Sequence, residues 1–264
     1  MDGMPVHIWV VSIVAIGVVV VGVCANLYRG ADAAGAGRAG ALRLAAVAGA
    51  AYTGWWVLVL VLGGREVFLS RPGAVPWVVP AMLGWIVVCL LFARRPAVVA
   101  ALAHPRAAVW LTAVQVARGL AGLAFLLALA ADRLPPVFAI PAGLGDLAVG
   151  VAAPLVAWRL AHDPRRRTTA VWFHRLGLAD ILVTVPLGAL AAPAVKLFGD
   201  DTTVAMGLLP LVTLALAGAP TMFALHLVAL RRLRPAPASG LVPEADGRAP
   251  AGGMRNPSGG VRNP

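Results

Sequence analysis

Six polar side chains lie within long apolar stretches of the sequence, and their types could do chemistry. They are Gln115, Arg118, Asp146, His174, Asp180 and His226. A charged side chain in the hydrocarbon of a bilayer costs about 2.5–3.5 kcal/mol even on the lenient insertion scale, so such residues pair with one another or serve a function. One arginine and two aspartates leave a carboxylate beyond a simple ion pair, and this carboxylate could hold a proton or bind a cation. The sequence therefore predicts a ligand- or proton-binding site in the C-terminal half.

The depth of these residues follows from their position in the apolar stretches. At a rise of about 1.5 Å per residue, Arg118, Asp146 and Asp180 each lie roughly ten residues from an end and therefore near the midplane. Gln115 precedes Arg118 by three positions, which places both on one face of a helix. We expect His226, close to the end of the last stretch, at the membrane interface rather than as a ligand.

The histidines do not predict a metal centre. His174 and His226 have no third ligand at a fixed spacing, whereas protein zinc sites use three or four. The two cysteines, Cys24 and Cys89, form no C-x-x-C or other metal-type pattern. We therefore expect neither a metal nor a cofactor.

The composition is that of a membrane protein. Of 264 residues, 60% are hydrophobic and 12% are charged, whereas a soluble domain carries about 25% charged residues. Seven apolar segments approach the roughly 20 residues that a spanning helix needs. They are Val6–Tyr28, Ala41–Leu62, Pro76–Phe92, Ala107–Ala131, Val137–Leu160, Ala170–Ala192 and Val204–Leu230. The sequence predicts an all-α integral membrane protein, a seven-helix transmembrane bundle.

The basic residues predict the orientation of the bundle. Thirteen of them follow the first, third, fifth and seventh segments, and four lie in the other loops. The thirteen are Arg29, Arg38, Arg43, Arg94, Arg95, Arg106, Arg159, Arg165, Arg166, Arg167, Arg231, Arg232 and Arg234. Because cytoplasmic loops carry the excess of Lys and Arg, the N-terminus is expected outside and the C-terminus inside. We expect a multi-pass protein of the inner (cytoplasmic) membrane.

The net charge of +11 does not indicate a nucleic-acid partner, because the basic residues lie in short clusters between apolar runs. At those positions they set topology and meet anionic lipid head groups on the cytoplasmic side. The expected partners are therefore the lipid bilayer and a small-molecule or lipid ligand.

Residues 1–234 are expected to form the seven-span domain. Residues 235–264 are rich in Pro, Gly and Ala and predict a disordered cytoplasmic tail.

Small residues and prolines mark the fifth segment. Ala142, Asp146 and Gly150 are four apart, so Asp146 lies on a stripe where another helix can approach closely. Pro141 and Pro154 make this helix prone to a kink or a local break. A broken helix beside an intramembrane acid is a recurring feature of transporter sites.

Three motifs resemble an uncharacterised family of bacterial multipass membrane proteins. The first is Gln115 and Arg118 followed by Gly122 and Phe125. The second comprises Leu134, Pro135, Phe138, Pro141, Ala142, Gly143, Gly145 and Asp146, and the third is Gly177 with Asp180, followed by His226 in the last helix. The resemblance covers roughly residues 110 to 230 and implies no established activity. His174 stands where the resemblance leads us to expect Asn.

Three functions are compatible with these features. In a small-solute or proton-linked transporter, Asp146 and Asp180 would bind a proton or cation and Arg118 would balance the charge. In an intramembrane enzyme acting on a lipid or isoprenoid-type substrate, one protonated aspartate would be the general acid. In a non-catalytic sensor or assembly protein, the polar cluster would only hold the bundle together. Transport is the leading hypothesis.

Overall fold

The computed structural model describes residues 3–71, 77–199 and 202–234, and within these ranges the chain forms helices and no strand. The helices in these ranges are α1 (Val6–Ala31), α2 (Gly37–Gly64), α3 (Val78–Phe92), α4 (Pro96–Leu102), α5 (Ala107–Ala113), α6 (Val116–Ala130), α7 (Pro136–His162), α8 (Arg167–Leu190) and α9 (Leu211–Arg232). Short 3-10 turns at Pro164–Arg166 and Val204–Gly207 come before α8 and α9. The predicted all-α class is confirmed.

Several helices are suited to a membrane. In the part of the chain that the structure describes, five are long and apolar enough to cross a bilayer, or six if the bent pair α3–α4 forms one span. The first of the five is the 59-residue stretch Val6–Gly64, which contains both α1 and α2. The described part of the chain therefore has several candidate membrane-spanning helices.

A π-helical segment, Asp32–Ala36, separates α1 from α2 and is interrupted at Gly35. Gly35 and Gly37 have φ angles of +85° and +67°, which glycine adopts without steric cost. Beyond this turn the helices pack on each other, since the Cys24 thiol donates a 3.4 Å hydrogen bond to the Ala45 carbonyl. A Cβ atom on Gly49 would lie 3.0 Å from the Cys24 sulfur. Val6–Gly64 is thus a pair of packed helical arms.

The helix α4 was not predicted. It follows α3 at an angle of 77° and begins at Pro96, whose fixed φ angle suits the first position of a helix. It packs against α1 so closely that a Cβ atom on Gly30 would overlap the Ala101 carbonyl. The predicted start of the third segment, Pro76, lies outside the described residues.

The helix α7 is continuous from Pro136 to His162, so the predicted local break is wrong. Pro141 and Pro154 each remove a backbone donor within it, but α6 and α8 pack along it and support it. The interruption occurs instead between α5 and α6. There the Arg118 N–H donates to the Gln115 carbonyl at 3.0 Å, a turn one residue tighter than an α-helix.

The last helix starts later than predicted and contains a widened turn. Val204–Gly207 is a 3-10 turn, α9 begins at Leu211, and residues Leu214–Gly218 form a π-helical turn. Two carbonyls of that turn accept side-chain hydrogen bonds from α2: Tyr52 Oη donates to Ala217 at 3.0 Å and Trp55 Nε1 to Leu216 at 2.8 Å. These two hydrogen bonds hold α9 against α2.

The described residues up to Leu233 form one compact unit. The predicted tail, residues 235–264, lies outside the described residues. Helices α6, α7, α8 and α9 pack on one another within the unit and carry five of the six predicted site residues.

Candidate functional site

Arg118 is at the centre of a buried ionic cluster. Its side chain is only 3% exposed, and its Nε donates to Asp146 Oδ1 at 2.5 Å. Its Nη2 donates to Asp180 Oδ2, and its Nη1 donates to the Gly177 carbonyl at 2.9 Å. The three residues whose predicted depths match are therefore in direct contact.

Glycines bring the backbones close enough for this cluster to form. A Cβ atom on Gly150 of α7 would overlap the backbone nitrogen of Gly119 in α6. One turn from that contact, a Cβ atom on Gly122 would lie 3.0 Å from Asp146 Cβ. α6 and α7 touch through their main chains here, and the Arg118 side chain meets Asp146 one turn away. The predicted small-residue stripe thus meets another helix, as expected.

Glycines also leave room for the other partners of Arg118. A Cβ atom on Gly145 would overlap the Asp180 carboxylate, and one on Gly177 would lie 2.6 Å from His226 Nε2. Any larger residue at either position would push a polar partner away from the arginine. Gly145 and Gly177 therefore shape the cluster through the space that they leave.

A chain of hydrogen bonds leads away from the ionic cluster. His226 Nε2 lies 3.3 Å from Arg118 Nη1, and His226 Nδ1 lies 2.8 Å from His174 Nδ1. His174 Nε2 lies 3.0 Å from Thr112 Oγ1, which donates to the Ala108 carbonyl at 2.8 Å. Both histidine side chains are fully buried inside the protein.

These contacts determine which ring nitrogens carry protons. A carbonyl can only accept, so the Thr112 hydroxyl donates to Ala108 and must accept from His174 Nε2–H. His174 then accepts at Nδ1 from the Nδ1–H of His226. His226 in turn accepts at Nε2 from Arg118. Both rings are neutral in this assignment, and an added proton on either would turn an N–H of His226 towards an N–H of Arg118.

We expect ¹⁵N NMR to show two neutral rings of opposite tautomer, with His226 protonated at Nδ1 and His174 at Nε2. The measurement is simplest in a variant in which His7, His104 and His162 are replaced by Gln, since His174 and His226 then give the only imidazole signals. Two identical tautomers, or a charged ring at neutral pH, would contradict the assignment.

An apolar cavity of about 230 Å³ reaches the ionic cluster, with Arg118 and Asp146 in its lining. Phe125, Phe138 and Ile181 are among its apolar lining residues. The other end is lined by the segments that follow α2 and precede α9, through Phe68, Ser70, Thr203 and Met206. The cavity therefore extends from one end of the bundle to the ionic cluster in its interior.

Gln115 is the predicted site residue that the structure does not bring into this network. It is fully buried, and neither its Oε1 nor its Nε2 has a hydrogen-bond partner in the described part of the protein. Thr112 joins the network although it was not predicted. No sequence pattern separates Thr112 from other threonines, because its partner His174 comes from a different helix.

Among the described residues, no group of three His, Cys, Asp or Glu is arranged to hold a metal ion.

The chain matches a known protein family. The model of a domain of unknown function, DUF8737, matches residues 76–234, which include the whole ionic cluster and the histidine pair. No curated protein and no solved structure matches the chain.

Proposed function

The chain belongs to the DUF8737 family, a domain of unknown function, and from its geometry we propose that it transports protons, or a small solute coupled to protons, across a membrane. Asp146 and Asp180 are the proposed binding groups, and Arg118 balances their charge. The observation that carries this proposal is the cavity that ends at Asp146 and Arg118, next to the hydrogen-bonded histidines on the far side of the arginine.

The proposed topology has seven spans in the inner membrane of a bacterium. The arms α1 and α2 have 26 and 28 residues, so each is long enough to cross a bilayer alone. With the N-terminus outside, the thirteen basic residues of the odd-numbered connections lie in the cytoplasm, where they meet anionic lipid head groups. The cavity then opens towards the outside, and Thr112 lies towards the cytoplasm.

This arrangement gives the two sides of the membrane different access to the cluster, which a carrier requires. The arginine keeps its charge at any physiological pH and does not relay protons itself. Asp146, the carboxylate that lines the cavity, therefore exchanges a proton or cation with it. Neutralising Asp146 weakens its ion pair with Arg118, and the arginine also contacts Asp180 and His226. Binding of a proton or cation in the cavity is coupled in this way, through Arg118, to the hydrogen bond that His226 accepts.

The test is proton flux in proteoliposomes that contain a pH-sensitive dye. We expect the wild-type protein to dissipate an imposed pH gradient, and Asp146→Asn to lower the rate at least tenfold because the cluster loses a proton-binding group. The matched control is Asp163→Asn, which removes the same charge at an exposed position where Asp163 pairs with Arg166. The absence of flux in the wild type for protons and for every solute class tried, or full flux in Asp146→Asn, would contradict the proposal.

The apolar lining of the cavity favours a second candidate, an intramembrane enzyme that acts on a lipid or isoprenoid-type chain. The chain would occupy the cavity, and a protonated Asp146 would be the general acid. Lipid analysis of a strain that lacks the gene separates the candidates, because an enzyme defect leaves an accumulated precursor. An unchanged lipid profile would exclude this second candidate.

A further inference from the structure

The size of the cavity limits what it can hold. An apolar cavity of about 150 Å³ accepts benzene, so about 230 Å³ accommodates one aromatic ring with a short side chain. Phe125 and Phe138 both line the cavity, with ring centroids 5.7 Å apart in an edge-to-face arrangement. These rings provide an apolar surface suited to an aromatic or aliphatic body.

One stripe of α7 joins this aromatic part of the cavity to its charged end. Phe138, Ala142 and Asp146 follow one another at intervals of four residues, and all three line the cavity. At a rise of about 1.5 Å per residue, Phe138 and Asp146 are about 12 Å apart along the helix axis. A ligand with an apolar body beside Phe138 would place its head group near Asp146, over the small side chain of Ala142.

The charge at the inner end of the cavity selects the head group. One guanidinium faces two carboxylates, so the ionic cluster has a net charge of −1 when both aspartates are ionised. Four of the five N–H groups of Arg118 already donate to Asp146, Asp180, the Gly177 carbonyl and His226. An anionic head group would meet net negative charge and an engaged arginine, whereas a cation would neutralise the cluster.

We propose that the solute bound in this cavity is a small organic monocation, a protonated amine on an apolar body about the size of one aromatic ring. The inference rests on the proposed function, because it names the solute of the same site. The ammonium group donates hydrogen bonds to the Asp146 carboxylate, and the body packs against Phe125 and Phe138. Neutral molecules of the same shape fit the cavity but leave the charge of the cluster unbalanced.

The experiment compares three probes of nearly equal shape on the wild-type protein: 2-phenylethylamine, 2-phenylethanol and 3-phenylpropanoate. Their charges at neutral pH are positive, zero and negative. Binding to the purified protein is measured by calorimetry, with protein-free micelles as the blank. We expect saturable binding of the amine, at least tenfold weaker binding of the alcohol and no saturable binding of the carboxylate. Equal or tighter binding of the alcohol or the carboxylate would overturn the inference.

Variants locate the binding site. Asp146→Asn is expected to weaken amine binding at least tenfold, which corresponds to about 1.4 kcal/mol, and to leave alcohol binding unchanged. Phe138→Ala is expected to weaken the binding of both, because each loses the same apolar contact. The control Asp163→Asn should leave amine binding at the wild-type level. Unchanged amine affinity in both Asp146→Asn and Phe138→Ala would place the amine elsewhere and overturn the inference.

Equilibrium binding needs no gradient, so the outcome is separable from that of the flux test. Tight amine binding without flux would support the ligand class and contradict transport. Proton flux without amine binding would support transport and overturn the ligand class.

Discussion

Replacing Arg118 by Met is expected to be among the most damaging single substitutions in this protein. Asp146 and Asp180 would be left buried without their cation, and His226 would lose its donor. Breaking a buried ion pair by removing one partner costs about 3–5 kcal/mol. We therefore expect a large fall in the thermal midpoint, measured by size-exclusion chromatography of heated detergent samples, or no recovery of folded protein.

Removing the whole charge cluster is the control for this loss. In the triple variant Arg118→Met, Asp146→Asn, Asp180→Asn no buried charge remains unpaired, so we expect most of the lost stability to return. Proton flux should stay at background, because no proton-binding carboxylate is left in the cluster. A triple variant that is as unstable as Arg118→Met would refute the charge argument. A stable triple variant with wild-type flux would show that the cluster is structural only.

The ionic cluster could be predicted because intramembrane charge is expensive. Arg118, Asp146 and Asp180 stand out in apolar stretches, and the requirement that each be satisfied predicts that they meet. The same reasoning does not predict the contacts of His226, which we expected near an interface because it lies close to the end of the last segment. Its actual environment depends on the rotation of α8 and α9 about their axes, which brings His174 and His226 ring to ring. The apolar patterning of these helices does not by itself determine that rotation.

The positions at which helices are interrupted were harder to predict than the existence of the helices. Pro141 and Pro154 suggested a break in α7, yet the neighbouring helices support a continuous helix there. The tight turn between α5 and α6 lies in a stretch without an internal proline, so no local sequence signal marks it. The π-helical turn Leu214–Gly218 is followed closely by Pro220, which has no N–H to donate to the Leu216 carbonyl, and that carbonyl accepts from Trp55 instead. Here the proline was a signal, but the partner from α2 was not predictable from the local sequence.

The close approach of α6 and α7 underlies the second large effect, the substitution Gly150→Ala. The added methyl group would overlap the backbone nitrogen and Cα of Gly119, which no side-chain rotation can relieve. The two helices must move apart, and such overpacking costs about 1–3 kcal/mol. Because Arg118 adjoins Gly119, the shift also pulls Arg118 from Asp146, so we expect proton flux to fall at least tenfold as well as a lower thermal midpoint.

The matched control is Gly54→Ala in α2, where a Cβ atom meets nothing within 4 Å. It gains the same helix propensity, about 1 kcal/mol in favour of Ala, without the overlap. We therefore expect Gly54→Ala to keep or raise the thermal midpoint and to leave flux unchanged, so that the difference between the variants measures the helix contact alone. Equal midpoints and equal flux in the two variants would mean that the contact of α6 with α7 does not hold Arg118 against Asp146, and the geometric basis of the proposed site would be lost.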